Sequence, residues 1–436
     1  MTNKNSKHLV YVGLAADILH EGHVNIIKLA STYGKVIVGL LTDSAISSYK
    51  KFPYLSYEQR YLVMKSMRYV HDVIPQETLD YTTNLNSIKP KYVVHGDDWK
   101  RGVQRKTREK VISTLKKWSG KLIEPQYTKN ISSSLIKNQI KTAGTNPETR
   151  RSKFRRLLEA KELVRMLEVH SPLSGLVVEN ISHTKNQKLF EYDGMWSSSL
   201  TDSVLRGMPN NQSVDYSTRT QGVIDIFNVT TKPMLFDINN GGKIEHISHV
   251  IKKLERAGVS GVVMEDKIGP KKNSLFQDQG VFQQDSIKNF CNKIKKIKNS
   301  SFNEDFLVIS GIESLVFRKS VGDALKRAVA YSKAGTDCIM IHSKDNNSKS
   351  IFEFSKKFKK TKYSIPLIAV SSAYSKTKEK ELIKNGFKVV IYENQMLRAS
   401  YKSMVSTAQK ILINSRAHEV DKDITSVKEI LYLIKQ

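Results

Sequence analysis

His20-Glu21-Gly22-His23 lies directly after an apolar run, Leu9 to Leu14, and directly before a helical pattern, Val24-Asn25-Ile26-Ile27-Lys28-Leu29-Ala30. A strand that ends in such an HxGH turn and opens a helix sets two imidazoles beside a ring of unpaired backbone N–H groups. A helix N-terminus carries donors and a partial positive charge, so the arrangement suits a polyphosphate. Gly22 allows close approach of backbone and ligand. More polar groups follow in order. Lys50-Lys51 comes after a second apolar run, Val36 to Thr42, and then Tyr57-Glu58-Gln59-Arg60. Gly96-Asp97-Asp98-Trp99 follows Tyr92-Val93-Val94, and Tyr127-Thr128-Lys129-Asn130-Ile131-Ser132-Ser133-Ser134 opens another helix.

In this order and spacing, residues 8–140 resemble the glycerol-3-phosphate cytidylyltransferase branch of the HxGH nucleotidyltransferases. Asn130 stands where that family usually has glycine, and Asn tolerates the left-handed turn better than most residues. The resemblance implies attack by an anionic oxygen on the α-phosphate of CTP, with pyrophosphate leaving. Positioning and charge neutralisation dominate such catalysis. On this reading His20 and His23 hold the phosphates, and Lys50, Lys51 and Arg60 neutralise the triphosphate or the acceptor. Asp97 and Trp99 shape the base and ribose pocket, and Ser132, Ser133 and Ser134 grip the outer phosphates. Choice of cytosine follows from the resemblance alone.

The elements that must position these groups form an α/β chain in two parts. At 436 residues, two or three domains are expected. The first, a Rossmann-like nucleotidyltransferase domain over residues 1–143, ends where Gly144-Thr145-Asn146-Pro147 breaks the preceding helix. Residues 149–170 read as a basic amphipathic helix carrying Phe154, Leu157, Leu158, Leu163 and Leu167. Short apolar runs at 175–179, 233–237, 261–265, 306–310, 338–342, 366–370 and 388–392 then alternate with helical patterns at 245–256, 285–297, 321–334 and 377–385. With an eighth run near Gly194-Met195-Trp196, residues 149–436 predict a (β/α)8 barrel.

Polar residues close several of these runs, which is where such barrels hold active sites. Asp237 closes one, Met264-Glu265-Asp266-Lys267 another, and His342-Ser343-Lys344 a third. Trp196-Ser197-Ser198 lies after the first run, and Lys271, Asn273 and Ser274 fall in a loop beyond Lys267. This pattern resembles phosphoenolpyruvate mutase of the isocitrate lyase superfamily, from about residue 150 to the end. A cytidylyltransferase-like domain ahead of that barrel is an arrangement of phosphonate biosynthesis. The resemblance implies conversion of phosphoenolpyruvate to phosphonopyruvate with Mg2+. Asp237 and Glu265 would anchor the metal, largely through water. Trp196, Ser197 and Ser198 would line the substrate pocket, and His342 would contact the phosphoryl group. Lys271, Asn273 and Ser274 would belong to a closing lid that excludes water.

The chain also departs from that pattern. Asp237-Ile238-Asn239-Asn240-Gly241 stands in place of Asp-Ala-Asp-Thr-Gly, so Asn239 replaces a carboxylate of the metal shell. Gly311 replaces an arginine that clamps the anionic substrate, and Asn210 falls on a further aspartate. Val370-Ser371-Ser372 and Glu393-Asn394-Gln395 stray from the usual Pro-Thr and Ala-Asn-His. Two function readings follow: a mutase fused to a cytidylyltransferase, or a cytidylyltransferase whose barrel is degenerate or retuned to another 2-oxo acid or phosphonate. A net charge of +29 raises a third, nucleic-acid binding. The lysines nevertheless recur between apolar residues, as in Lys293 to Lys298 and Lys356 to Lys360, and read as solvated helix faces. Only Cys291 and Cys338 occur, in no CxxC spacing, which points to a reducing compartment without zinc or disulfides. No apolar stretch is long enough to span a membrane, and Asp17 and His20 make the N-terminal run a strand rather than a signal peptide. A cytoplasmic protein is expected; the barrel's resemblance implies a homo-oligomer, dimer or tetramer, for which Val427 to Ile434 supplies an apolar packing face.

Overall fold

The computed structural model describes residues 8–100, 104–126, 146–185, 188–269, 283–363 and 365–433. Two compact units divide the chain: residues 1–143 with 182–191, and residues 144–181 with 192–436.

In the first unit, β1 (Leu9–Leu14), β2 (Lys35–Leu41), β3 (Val70–Gln76), β4 (Tyr92–Val94) and β5 (Lys121–Ile123) form one parallel sheet in the order β3-β2-β1-β4-β5. Parallel strands are covered on both faces, so they read as unbroken apolar runs rather than alternations. Val10, Tyr11 and Val12 are accordingly all fully buried. The chain steps outward from β1 to β2 and β3, then crosses back to β4 on the other side of β1. This reversal opens a crevice beyond the carboxyl ends of β1 and β4, where open α/β sheets bind ligands. Gly13 lets the Tyr81 ring close over the end of β1: a Cβ there would lie 2.4 Å from that ring.

In the second unit, strands β6 (Val164–Glu168), β9 (Gly194–Ser197), β10 (Met234–Asp237), β11 (Gly261–Glu265), β14 (Leu307–Ile312), β15 (Cys338–Ile341), β16 (Leu367–Val370) and β17 (Phe387–Tyr392) close a parallel eight-stranded barrel. The short antiparallel pair β12 (Lys267–Ile268) with β13 (Gln283–Gln284) stands outside the barrel, and the inserted hairpin β7 (Ser182–Lys185) with β8 (Lys188–Glu191) belongs to the first unit.

The barrel forms as expected, but its first strand lies elsewhere. Residues 175–179 fall in a helix, Pro172–Asn180, started by Ser171 as N-cap with Pro172 at its first position. A short apolar run suits a buried helix face as well as a strand. The true first strand is Val164–Glu168, inside the span read as one helix over 149–170. That helix runs Pro147–Ala160 and stops there. Nor is its basic face wholly solvated. Arg150 and Arg151 are each 1% exposed. Arg150 donates to the carbonyls of Phe227 and Thr230 and lies 3.8 Å over the Phe227 ring.

At the C-terminal end, helix Gln395–Asn414 has no buried residue. Leu412 and Ile413 are 79% and 80% exposed there, and Val427 and Tyr432 are 76% and 72% exposed in helix Val427–Leu433.

Candidate active sites

In the first unit, helix Glu21–Tyr33 starts from the HxGH turn through its own imidazoles. His20 is the N-cap and its Nδ1 accepts from the Gly22 N–H at 3.2 Å, while His23 Nδ1 accepts from the His20 N–H at 3.4 Å. The rings lie 4.0 Å apart, centroid to centroid. Burial disfavours the charged form of both histidines, and it holds His20 below its ordinary pKa. His23 is pushed down to about 3 by burial, reinforced by His20 and Lys50. With no anion present, the pair is therefore neutral at pH 7.

These side chains open onto a cavity of about 290 Å³, which His20, Gly22, His23, Lys50, Asp98 and His95 help to line. Lys51, Asp97, Trp99 and Arg60 are not among its lining residues. Arg60 is 1% exposed, and it spans the carbonyls of Ala15 and Leu41, each at 2.7 Å, and Asp43 at 2.6 Å. It is thus a structural clamp tying β1, β2 and the helix Tyr57–Lys65, rather than a group facing the triphosphate. Trp99 is buried behind the wall, its Nε1 donating to Glu124 at 2.7 Å. In front of it stands His95, stacked at 3.8 Å and 4°. His95, which sequence reasoning did not name, and Asp98, the neighbour of Asp97, are the residues of this segment that line the cavity with Gly96. The only signal was position: His95 immediately follows β4. Ser132, Ser133 and Ser134 lie outside the described residues.

The barrel site gathers at the carboxyl ends of its strands. Asp237, the last residue of β10, accepts from the N–H and hydroxyl of Ser199 through Oδ2, at 3.2 and 2.7 Å. Its Oδ1 accepts from the Asn239 N–H at 2.7 Å. Asn239 sits in the left-handed region, φ 54°, which Asn tolerates, and its carbonyl accepts from the Glu265 N–H at 2.7 Å. One turn therefore sets the spacing of the two carboxylates.

Glu265 continues into a charged chain. Lys267 Nζ lies 3.1 Å from Glu265 and 2.9 Å from Glu313, and His342 Nε2 lies 2.5 Å from Glu313. Burial would raise the Glu313 carboxyl, but Lys267 and His342 outweigh it and hold it far below the usual carboxylate range. Burial opposes charge on His342 as well, yet Glu313 leaves its pKa raised. His342 and Lys267, the latter already marked as the end of the Met264–Lys267 run, line the mouth, and Glu313, to which sequence reasoning gave no role, pairs with both.

Trp196, Ser198, Asn210, Asp237, Glu265 and His342 all line one cavity of about 80 Å³. Ser197 does not; its hydroxyl turns away to donate to Asp202. Lys271, Asn273 and Ser274 lie outside the described residues. Trp196 Nε1, Asn210 Oδ1 and Asn394 Oδ1 belong to cavity-lining residues and are buried without a hydrogen-bond partner among the described residues. Such atoms are costly unless a ligand or water satisfies them. Gly311, on β14, pairs with Glu265 and Met340. A Cβ at Gly311 would meet Met340 Cε, the end of a flexible side chain, at 3.0 Å.

One unit is a parallel barrel with carboxylates and a charged chain at its mouth, and the other is an open parallel sheet with a crevice at its switch point; together they define a two-part α/β enzyme. The chain belongs to the phosphoenolpyruvate phosphomutase family, whose model matches residues 154–412, and a cytidylyltransferase-like family matches residues 11–139. The phosphoenolpyruvate phosphomutase of Tetrahymena pyriformis is 31% identical over 284 residues, covering 65% of this chain and 90% of that one. The phosphonopyruvate hydrolase of Variovorax sp. is 30% identical over 289 residues, covering 65% and 94%. A crystal structure of phosphonopyruvate hydrolase in complex with oxalate and Mg++ aligns with TM-score 0.58 at 27% identity, covering 65% of this chain and 94% of that one. No helix among the described residues is long and apolar enough to cross a membrane.

Proposed function

We propose that the chain is a bifunctional enzyme of phosphonate metabolism. Its barrel interconverts phosphoenolpyruvate and phosphonopyruvate, and its first unit transfers CMP from CTP to a phosphonate or phosphate-monoester acceptor. The observation that carries the barrel reading is the Glu265–Lys267–Glu313–His342 chain ending in a cavity of about 80 Å³. A cavity this small suits a three-carbon acid, whereas about 290 Å³ in the first unit suits a nucleotide.

The residues present fit a hydrated Mg2+. Asp237 and Glu265 supply carboxylates, and the Oδ1 atoms of Asn210 and Asn239 are buried oxygens with no donor among the described residues. An all-oxygen set is what this hard cation takes. Two amides in place of carboxylates make the site less charged and the metal more weakly held. When bound, Mg2+ would neutralise the carboxylate and enolate oxygens of the substrate. His342, kept protonated by Glu313, holds the phosphoryl oxygens as charge moves between oxygen and carbon. Trp196 Nε1 offers a preorganised donor that needs no reorganisation. In the first unit the imidazoles of His20 and His23 and the amides of the helix start hold the phosphates, and Lys50 offsets their charge. A homo-oligomer packed through the exposed C-terminal helices completes the proposal.

A second reading has a specific observation behind it. The Met340 methyl lies against Gly311, where the arginine would stand, and on this reading the barrel is retuned to another 2-oxo acid or phosphonate. Phosphonopyruvate with Mg2+, coupled through pyruvate kinase and lactate dehydrogenase, separates the two. The first reading gives NADH oxidation that requires both pyruvate kinase and ADP and that Asp237→Ala abolishes. A signal equal in parent and variant overturns it.

A further inference from the structure

The protonation pattern of His95, which lines the cavity of the first unit, can be read from its neighbours. Its Nδ1 lies 2.8 Å from the Gly96 carbonyl oxygen. A carbonyl only accepts, so Nδ1 carries the hydrogen. Burial, the largest influence on this ring, disfavours the imidazolium and holds its pKa below the ordinary value. A neutral ring with its hydrogen on Nδ1 has a lone pair on Nε2, at the opposite edge. No described residue donates to that nitrogen.

The ring is also fixed in orientation. It stacks at 3.8 Å and 4° on Trp99, whose Nε1 is held by Glu124, and Arg108 grips the same carboxylate with two donors at 2.7 and 2.8 Å. Three side chains thus set the His95 acceptor in place before any ligand arrives, so little rotamer entropy remains to be lost on binding. Its position suits one part of a nucleotide. The HxGH turn follows β1 and takes phosphate, whereas His95 follows β4, the neighbouring strand across the crevice.

We propose that His95 reads the base: its Nε2 accepts a hydrogen bond from the exocyclic amine of an aminopyrimidine nucleotide, and so selects CTP over UTP. Uracil presents a carbonyl at the same edge, and two acceptors facing each other leave both desolvated and unpaired. The inference rests on the nucleotidyltransferase reading and extends it from resemblance to a named atom. It also moves base recognition from Trp99, which is buried behind the wall, to the ring stacked in front of it.

The test is calorimetric binding of CTP and UTP to the full chain, with pyrophosphate release measured separately. Binding needs no acceptor, so a mistaken reaction and a mistaken base reader give different results. The parent should bind CTP at least about tenfold more tightly than UTP, the order expected for one buried donor left unpaired. His95→Phe keeps a stacking ring and removes the acceptor, and should bring the ratio close to one. His95→Gln, whose amide can turn to donate or accept, should also narrow it. A role in support alone would weaken both nucleotides equally and leave the ratio intact, which overturns the proposal. A parent that binds UTP as well as CTP also overturns it. Should CTP bind preferentially while no acceptor yields pyrophosphate, the transfer reading fails and His95 stands as the base reader.

Discussion

Glu313→Gln is the most telling single change in the barrel. Glu313 is fully buried, and its carboxylate faces Lys267 at 2.9 Å and His342 at 2.5 Å. Removing one partner of a buried ion pair costs about 3–5 kcal/mol, because the remaining charge is left uncompensated. Lys267 still has Glu265 at 3.1 Å, and His342 can shed its proton, so the lower end, about 3 kcal/mol, applies. For a domain of this size each kcal/mol moves Tm by roughly 2–4 °C, which gives a fall of about 6–12 °C. The effect also has a pH signature. Glu313 is lowered in the folded state, so its contribution is present above the unfolded carboxyl value and lost as pH falls. His342 is raised, so its contribution is present below the unfolded imidazole value and lost as pH rises through the folded one. The gap between parent and variant should be widest at mildly acidic pH, about 5–6.5, and should narrow above that. Differential scanning calorimetry of both proteins from pH 5 to 9 measures it. A variant within about 2 °C of the parent at every pH would refute the charged chain as a stabilising element.

His20→Ala and His23→Ala should each slow CTP-dependent pyrophosphate release by at least ~100-fold, the order for losing one preorganised group at a developing charge; unchanged rates in both remove the HxGH turn from the chemistry. His23 sits at about 3 without ligand, and triphosphate charge should raise it, so CTP binding should take up protons and tighten as pH falls from 8 to 6. Calorimetry in buffers of different ionisation enthalpy detects this, and zero uptake contradicts it. Deleting residues 425–436 should weaken self-association, since Val427, Leu431 and Tyr432 are 76%, 62% and 72% exposed in one chain; a parent that light scattering shows as a monomer at micromolar concentration ends that idea.

Much of this was legible in the sequence where local chemistry decides. The HxGH turn, the strand-end residues Asp237, Glu265 and His342, and the helix over 321–334 all depend on near neighbours. What was hidden depends on packing between distant segments. Val164–Glu168 reads as part of a helix because its apolar residues continue the pattern of the preceding one, and only pairing with β9 and β17 makes it a strand. Arg60 looks like a free cation until Ala15, Leu41 and Asp43 are brought around it. Glu313 becomes a site residue only because Lys267 and His342 arrive from neighbouring strand ends. Gly311 reads as a lost arginine, and the structure adds that the Met340 methyl lies against it.

Phosphorus NMR of phosphonopyruvate incubated with the full chain and Mg2+ tests the central claim most directly, because each fate has its own signal. The account predicts conversion of the phosphonate resonance to that of phosphoenolpyruvate, lost in Asp237→Ala and sharply reduced in Glu313→Gln. Inorganic phosphate alone, or a phosphonate resonance that persists unchanged, would contradict it.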